Sequence, residues 1–443
     1  MPTAPHPGRA IVTYGRSLMA LTTAHSLGRR GVEVIGCDDV GLTALSFSRY
    51  AKKHFTHARA SDDPDRFIDD LEAAIIRNKP KDERAYVLMP CFSETRLIAR
   101  HADRLSAHIK VAAPPIEAIR AVDPKDKLLH TARAMRLAIP ATWTTEEIRA
   151  GNGPPPELFP LIVKPVRGVG GRGVRKVGSP PELEQMIAAD GAPSLLVQEF
   201  IAGEDYCLTA LYDRGVRKAS TAYRNLSRYP REAGAGVLRE TVADAPFLAS
   251  ADLLFGEISW TGVVEVDYRW DGAREPVLIE VNPRFWAGLF HTVASGVDFP
   301  WMLYELAATG QVATPAEPKL GQRTKVGGLH LLAAIQEIAE SDESFTAVKE
   351  TWTSAASKFQ SGRLLEASRE LARAIAAGLS MPRAAVKLRA ALQSAKGAPD
   401  ELFHSHDPLV SLGALFVLAS LMRYGKLPPE LRYDPEPHEL AIE

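Results

Sequence analysis

The chain has 443 residues, with 53 Lys plus Arg against 54 Asp plus Glu, a formal net charge of -1. Hydrophobic residues make up 46% and charged residues 24%, which supplies a large core and excludes wholesale disorder. The balanced charge excludes a protein built mainly to hold nucleic acid, and the length suggests roughly three domains. Cys37, Cys91 and Cys207 are widely spaced and odd in number. They make neither a disulfide framework nor a zinc-ligand pattern, and they suit a reducing cytoplasm. The opening MPTAPHPGRAIVTYG lacks the basic end, apolar run and cleavage site of a secretory leader.

The first stretch alternates strand and helix signals. Strands are expected at 10–15 (AIVTYG), 32–38 (VEVIGCD) and 85–90 (AYVLMP), and helices at 17–30, 67–77 and 94–105. This alternation predicts a parallel sheet with helices on both faces and ligand loops at the carboxyl ends of its strands. Gly15 lacks the second and third glycines of G-x-G-x-x-G, so a dinucleotide turn and hydride chemistry are not expected. Asp38 and Asp39 stand where a ribose-binding acid would, and without that turn they read as a solvated strand end. Glu94 opens a helix at a ligand-facing position, although helix N-termini favour acids in any case.

From 123 the character changes. DPKDKLLHTARAMRLAIPATW predicts a helix at 125–137, then a proline and a strand. A Gly- and Pro-rich loop at 151–156 precedes a β-rich segment running to about residue 288. Beyond it, helices are expected at 331–339, 364–379 and 382–395. PLVSLGALFVLASLM (408–422) holds 14 residues after its proline, too short for a membrane span, which needs ~20. It reads as a buried helix; the alternative is a surface for a membrane or a partner.

LIVKPVRGVGGRGV (161–174) is the most informative stretch. An apolar strand leads to Lys164, and Gly168, Gly170, Gly171 and Gly173 follow. Such a loop can fold its backbone N–H groups around a phosphate, and the lysine adds a mobile positive charge. No GK[ST] follows the glycines, so this is not a P-loop. A flexible hairpin would carry the same glycines, but an unpaired ammonium in an apolar strand end would be costly.

Two further strands carry acids. In GVVEVDYRW (262–270), Glu265 and Asp267 are two apart and share a face; in VLIEVNPRFW (277–286), Glu280 and Asn282 do the same. Paired antiparallel, they bring three carboxylates and an amide to one place, where like charges repel unless a cation joins them. Magnesium takes such hard oxygen ligands and shares them with phosphates. A surface ladder of ion pairs is the other reading of the first strand. Glu280, after Val277, Leu278 and Ile279, is expected to be buried.

The glycine loop resembles the flap of ATP-grasp enzymes, that of biotin carboxylase in particular, and other landmarks of that superfamily follow in order. Asp126-Lys127 ahead of AIPAT (138–142) resembles its upstream lysine segment. The resemblance implies that Lys127 meets the ATP phosphates from one lobe and Lys164 from the other. LVQEFIAGEDY (196–206) resembles its adenine hinge, with Gln198 in place of the usual Glu. That implies backbone contacts to adenine from Glu199 and Ile201, and ribose contacts from Asp205, with Glu204 beside it. EVNPRFW resembles its metal signature. By that likeness Glu280 bridges two magnesium ions, Asn282 completes one, and Arg284 faces the γ-phosphate or an acyl phosphate. Carbamoyl phosphate synthetase favours Asp267 as the first-strand ligand, and other members favour Glu265.

The expected architecture is therefore α/β: a Rossmann-like domain at 1–122, a two-lobed ATP-grasp domain at 123–330 and a mostly helical region at 331–443. The resemblance implies ATP and Mg2+, or Mn2+ in its place, with Arg284, Lys164 and Lys127 catalytic. It implies a ligase that joins a small-molecule carboxylate to an amine through an acylphosphate; a cytoplasmic location, no nucleic-acid partner and a homodimer are expected beside it. Lids are expected at 167–172 and at 223–240, where Arg224, Arg228 and Arg231 would recognise the substrate carboxylate or stand in a solvated loop. A bicarbonate-using carboxylase or carbamoyl-phosphate-type enzyme, and a nucleotide-binding module without catalysis, are the alternatives.

Overall fold

A computed structural model describes residues 8–166, 168, 173–188, 194–229, 234–341, 358, 366, 368, 369, 372 and 382–424. Arg167, Gly170, Gly171, Arg231 and most of the helix expected at 364–379 lie outside the described residues. The chain divides into two units: Met1–Arg224, Glu240–Gln322 and Glu401–Glu443 form one, and Asn225–Arg239 with Arg323–Asp400 form the other.

The first unit opens with a parallel sheet of β1 (Arg9–Val12), β2 (Glu33–Asp38), β3 (Ala51–Thr56), β4 (Tyr86–Met89) and β5 (Lys110–Val111), in the order β3-β2-β1-β4-β5. Its inner strands are apolar on both faces because helices cover both. Helix Leu18–Arg29 starts where the Ser17 side chain accepts the Ala20 N–H. Helix Pro64–Arg77 starts at Asp63, which accepts from Arg66, and buries Phe67, Ile68, Leu71, Ala74 and Ile75, one face at helical spacing. β3 lies at the sheet edge with its lysines exposed, so it shows no apolar alternation in sequence. The helix expected at 94–105 is broken into Glu94–Arg100 and Ala102–Ser106.

Two antiparallel sheets follow. β6 (Thr142–Thr144), β7 (Leu161–Pro165), β8 (Arg175–Val177) and β9 (Leu195–Glu199) lie in the order β6-β9-β7-β8. Leu161, Val163, Val177 and Val197 pack there with Leu183 and Ile187 of helix Pro180–Ala188. The remaining strands are β10 (Glu204–Asp213), β11 (Val216–Tyr229), β12 (Ala235–Val242), β13 (Gly262–Trp270), β14 (Val277–Asn282) and β15 (Arg323–Lys325). In the first unit the order runs β14-β13-β10-β11. The second unit holds the distal ends of β11 and β12, β15, and the helices Gly327–Ser341 and Pro382–Ser394.

Two expectations are corrected. Asp38 and Asp39 are not a solvated strand end: they are 3% and 5% exposed. Arg16 binds both, and Arg59 Nε donates to Asp39 Oδ2 at 2.6 Å, so buried guanidinium groups hold both acids. The stretch 408–422 is not a buried helix. It forms a 3-10 turn at Pro408–Leu415 and a helix at Phe416–Tyr424, with Val410, Gly413 and Ser420 buried but Leu409 58%, Leu418 51% and Met422 78% exposed. It packs through small residues, and a Cβ at Gly413 would stand 2.5 Å from Ala44 Cα. That close seam leaves the leucines on the outer side.

Candidate active site

The hairpin of β13 and β14 sets the site. Antiparallel pairing places Glu265 opposite Asn282 and Asp267 opposite Glu280, with a register shift after Asp267. The period of two puts all four side chains on one face. β10 continues the row, with Cys207 opposite Asp267, and β11 continues it with Tyr223 opposite Cys207.

The polar contacts on this face are dense. Tyr223 Oη donates to Glu265 Oε1 at 2.6 Å, and Cys207 Sγ donates to Asp267 Oδ1 at 3.1 Å. Asn282 Nδ2 faces Glu265 Oε2 at 3.3 Å and Asp267 Oδ2 at 3.4 Å. Its Oδ1 accepts from Arg284 Nη2 at 3.0 Å. The amide therefore turns its donor end, not the oxygen expected of a ligand, toward the acids, because two carboxylates attract N–H groups. Behind Tyr223, His291 is fully buried; its ring meets the tyrosine edge-on at 5.2 Å, and its Nε2 lies 2.9 Å from Thr241 Oγ1.

Two lysines face these acids. Lys164, at the end of β7, is 4% exposed, and its Nζ donates to Ile279 O at 3.3 Å. Burial lowers its pKa to about 8, with Glu280 opposing the drop. Lys125, the first residue of helix Lys125–Ala134, sits 3.1 Å from Glu280 Oε1 and donates to Gly168 O at 2.9 Å. Glu280 is not fully buried; its side chain is 29% exposed. Partial burial pushes its carboxyl up, but Lys125 and Lys164 outweigh that and hold it below its ordinary value.

Lys127 is exposed, and Lys125 is the lysine of this helix that contacts Glu280. The helix explains the difference. Lys125 stands three and four residues before buried Leu128 and Leu129, on the inward face, whereas Lys127 aligns with exposed His130. That spacing was a usable signal. Cys207 and Tyr223 carried none, since nothing in their own strands marks them as neighbours of the acids.

The hinge residues are placed by β9 and the turn after it. Glu199 N–H donates to Ala141 O at 2.8 Å, so a contact to adenine from Glu199 falls to its carbonyl. Gln198 Nε2 donates to Thr142 Oγ1 at 2.9 Å, which accounts for an amide where an acid is usual. Arg269 joins the hinge to the ribose candidate: it donates to Ile201 O at 3.2 Å and to Asp205 Oδ1 at 2.8 Å. Gly203 has φ +122, and a Cβ there would meet Trp270 O at 2.5 Å. Gly168 and Gly173, on either side of the flap, also have positive φ, +139 and +73.

The remaining candidates have their own partners. Arg284 donates to Phe285 O at 2.8 Å, and its guanidinium lies 4.7 Å from the Phe92 ring, which stacks on Tyr14. Glu94 is a loop brace: its carboxylate accepts the Cys91 and Phe92 N–H groups and the Thr13 hydroxyl. Residues 223–229 belong to β11 rather than a loop. Arg224 is held by Glu240 Oε2 at 2.8 Å and Glu204 Oε2 at 3.0 Å, and Arg228 lies in the second unit.

The donor set fits magnesium. Glu265, Asp267 and Glu280 offer hard oxygens. Burial first, then Asp267 and Glu265, push the Cys207 thiol well up, so it remains a proton donor and not a thiolate ligand.

Residues 125–288 match the ATP-grasp domain family. This stretch is an ATP-grasp domain. Solved structures with the same fold include the L-amino acid ligase of Bacillus licheniformis, with TM-score 0.52 and 16% identity over 71% of this chain and 76% of that one. The biotin carboxylase domain of Hydrogenobacter thermophilus 2-oxoglutarate carboxylase, complexed with MgADP and bicarbonate, gives 0.55 and 14% over 71% and 73%. The N5-carboxyaminoimidazole synthetase of Staphylococcus aureus gives 0.56 and 14% over 77% and 88%. No curated protein sequence matches the chain. No helix among the described residues is long and apolar enough to cross a membrane.

Proposed function

We propose that the chain is an ATP-dependent ligase that joins a carboxylate to an amine. The observation that carries this is the acidic hairpin, with Glu265, Asp267 and Glu280 on one face and Lys125 and Lys164 against Glu280. A carboxylate attacks the γ-phosphorus, the bond to ADP breaks, and an acylphosphate forms. An amine then displaces phosphate to give an amide. Negative charge grows on the transferred group, so preorganised cations lower the barrier. Lys125 and Lys164 supply two of them. Arg284 holds Asn282 in place, and its guanidinium is the candidate partner of the acyl phosphate. Magnesium, held by Asp267 and Glu280 with Glu265 and Asn282 beside them, would offset charge on the bridging phosphate oxygens. Ile201, the Glu199 carbonyl and Asp205 would meet the nucleoside, and Gly168, Gly170, Gly171 and Gly173 would meet the phosphates. The ligase in the fold comparison supports this reading over the bicarbonate-using alternative only as one of several chemistries on the same fold. Three buried cysteines, none in a disulfide, suit a reducing compartment, the cytoplasm.

A phosphate-release screen of carboxylic acids against amines and amino acids tests the proposal. ADP should form only when an acid and an amine are both present. Release driven by bicarbonate without an amine would replace the ligase with a carboxylase. Tight binding of MgATP without substrate-dependent hydrolysis would favour a module that does no chemistry.

A further inference from the structure

Outside the acidic hairpin, the described residues gather a second set of metal-ligating side chains: His25, His404 and His406. His25 lies on helix Leu18–Arg29, beside the parallel sheet; the other two precede the turn Pro408–Leu415. The rings touch pairwise, with centroids 4.8 Å apart for His25 and His404, 4.8 Å for His25 and His406, and 5.3 Å for His404 and His406. One nitrogen of each lies within 4.8 Å of the other two. His25 and His404 are 6% and 9% exposed.

Two of these rings have outer partners of the kind that metal ligands have. His25 Nε2 lies 2.9 Å from Asp407 Oδ2, to which it donates its hydrogen. Asp407 is fixed in turn by Ser48 Oγ and by the Arg49 N–H at 3.1 Å. His404 Nε2 lies 3.0 Å from Glu401 O and donates to it. A ligating imidazole characteristically gives its other N–H to a carboxylate or a backbone carbonyl, which sets the tautomer and aims the ring. In both buried rings it is Nε2 that meets the outer partner.

We propose that His25, His404 and His406 bind one divalent transition-metal ion, with zinc the expected occupant, and that Asp407 and the Glu401 carbonyl orient two of the ligands. Three imidazoles suit zinc and its neighbours in the first transition row, whereas magnesium prefers oxygen. The Arg29 guanidinium, which contacts both nitrogens of His406, must release that ring for the ion to enter. The ion would fasten the segment carrying His404 and His406 to the helix carrying His25. This site is independent of the ligase reading.

The test uses the full chain, stripped with a chelator and titrated with Zn2+ and then with Co2+. One equivalent of Zn2+ should bind, and Co2+ should give visible d–d bands without a thiolate charge-transfer band. His404→Gln and His406→Gln should each weaken Zn2+ binding by more than about 100-fold, and Asp407→Asn by about 10- to 100-fold, the range for an outer partner. Asp267→Asn should leave Zn2+ binding unchanged. No binding by the wild type, unchanged binding by His406→Gln, or a thiolate band from Cys207 would overturn the proposal. Should a variant of a buried ligand fail to fold, His406→Gln at the less buried position decides.

Discussion

Replacing Lys125 or Lys127 with methionine separates the lysine that touches Glu280 from the one that the family resemblance points to. Lys125 Nζ stands 3.1 Å from Glu280 Oε1 and touches the flap at Gly168 O. At that distance and an effective dielectric near 20, the Coulomb attraction is about 5 kcal/mol before desolvation. The net worth of a hydrogen bond to a charged group is smaller, about 1.5–3 kcal/mol. Lys125→Met should therefore lower kcat/KM for ATP by roughly 10- to 150-fold. Lys127 is exposed, so Lys127→Met should change kcat/KM by less than about 2-fold, as expected of a surface substitution. Steady-state ADP release, with circular dichroism to confirm folding, reads both. A crippled Lys127→Met beside a normal Lys125→Met would refute the placement of the helix and of the phosphate cations.

Three further outcomes follow from the same geometry. Lys164 has its pKa lowered to about 8, so its charge is present below that pH and lost above it. KM for ATP should rise as pH passes about 8, and Lys164→Arg, whose charge persists, should remove the break; an unaltered break assigns it elsewhere. Gly203→Ala places a Cβ against Trp270 O at φ +122, so it should raise KM for ATP while leaving kcat nearly unchanged, read from ATP saturation curves. His25 has its folded-state pKa lowered to about 4, so the unfolded chain takes up the proton first as pH falls below 6.5. In the presence of a chelator, stability should be full above pH 6.5 and decline toward pH 4 by up to about 3 kcal/mol, and urea titrations of wild type and His25→Gln should show this slope only in the wild type.

Much of the site was legible because a strand's period of two fixes which side chains share a face. Glu265, Asp267, Glu280 and Asn282 needed only that rule and a hairpin to converge. What stayed hidden depends on packing between segments distant in sequence. Asp38 and Asp39 read as solvated because their buried partners are distant in sequence: Arg16 comes 22 residues before Asp38, and Arg59 comes 20 residues after Asp39. β3 escaped notice because an edge strand carries charge on the positions an inner strand would bury. The stretch 408–422 is apolar enough to be core, yet its contact runs through Gly413, and composition does not tell which side of a helix meets the protein. Lys125 was within reach, since the spacing to Leu128 and Leu129 gives its face.

Calorimetric titration of a non-hydrolysable ATP analogue into wild type and Glu280→Gln, with and without Mg2+, tests the acidic hairpin as the metal-phosphate centre most directly. Wild type should bind the analogue more tightly when Mg2+ is added, and Glu280→Gln should lose that gain while keeping its fold. Equal enhancement by Mg2+ in both proteins would mean that the metal sits elsewhere.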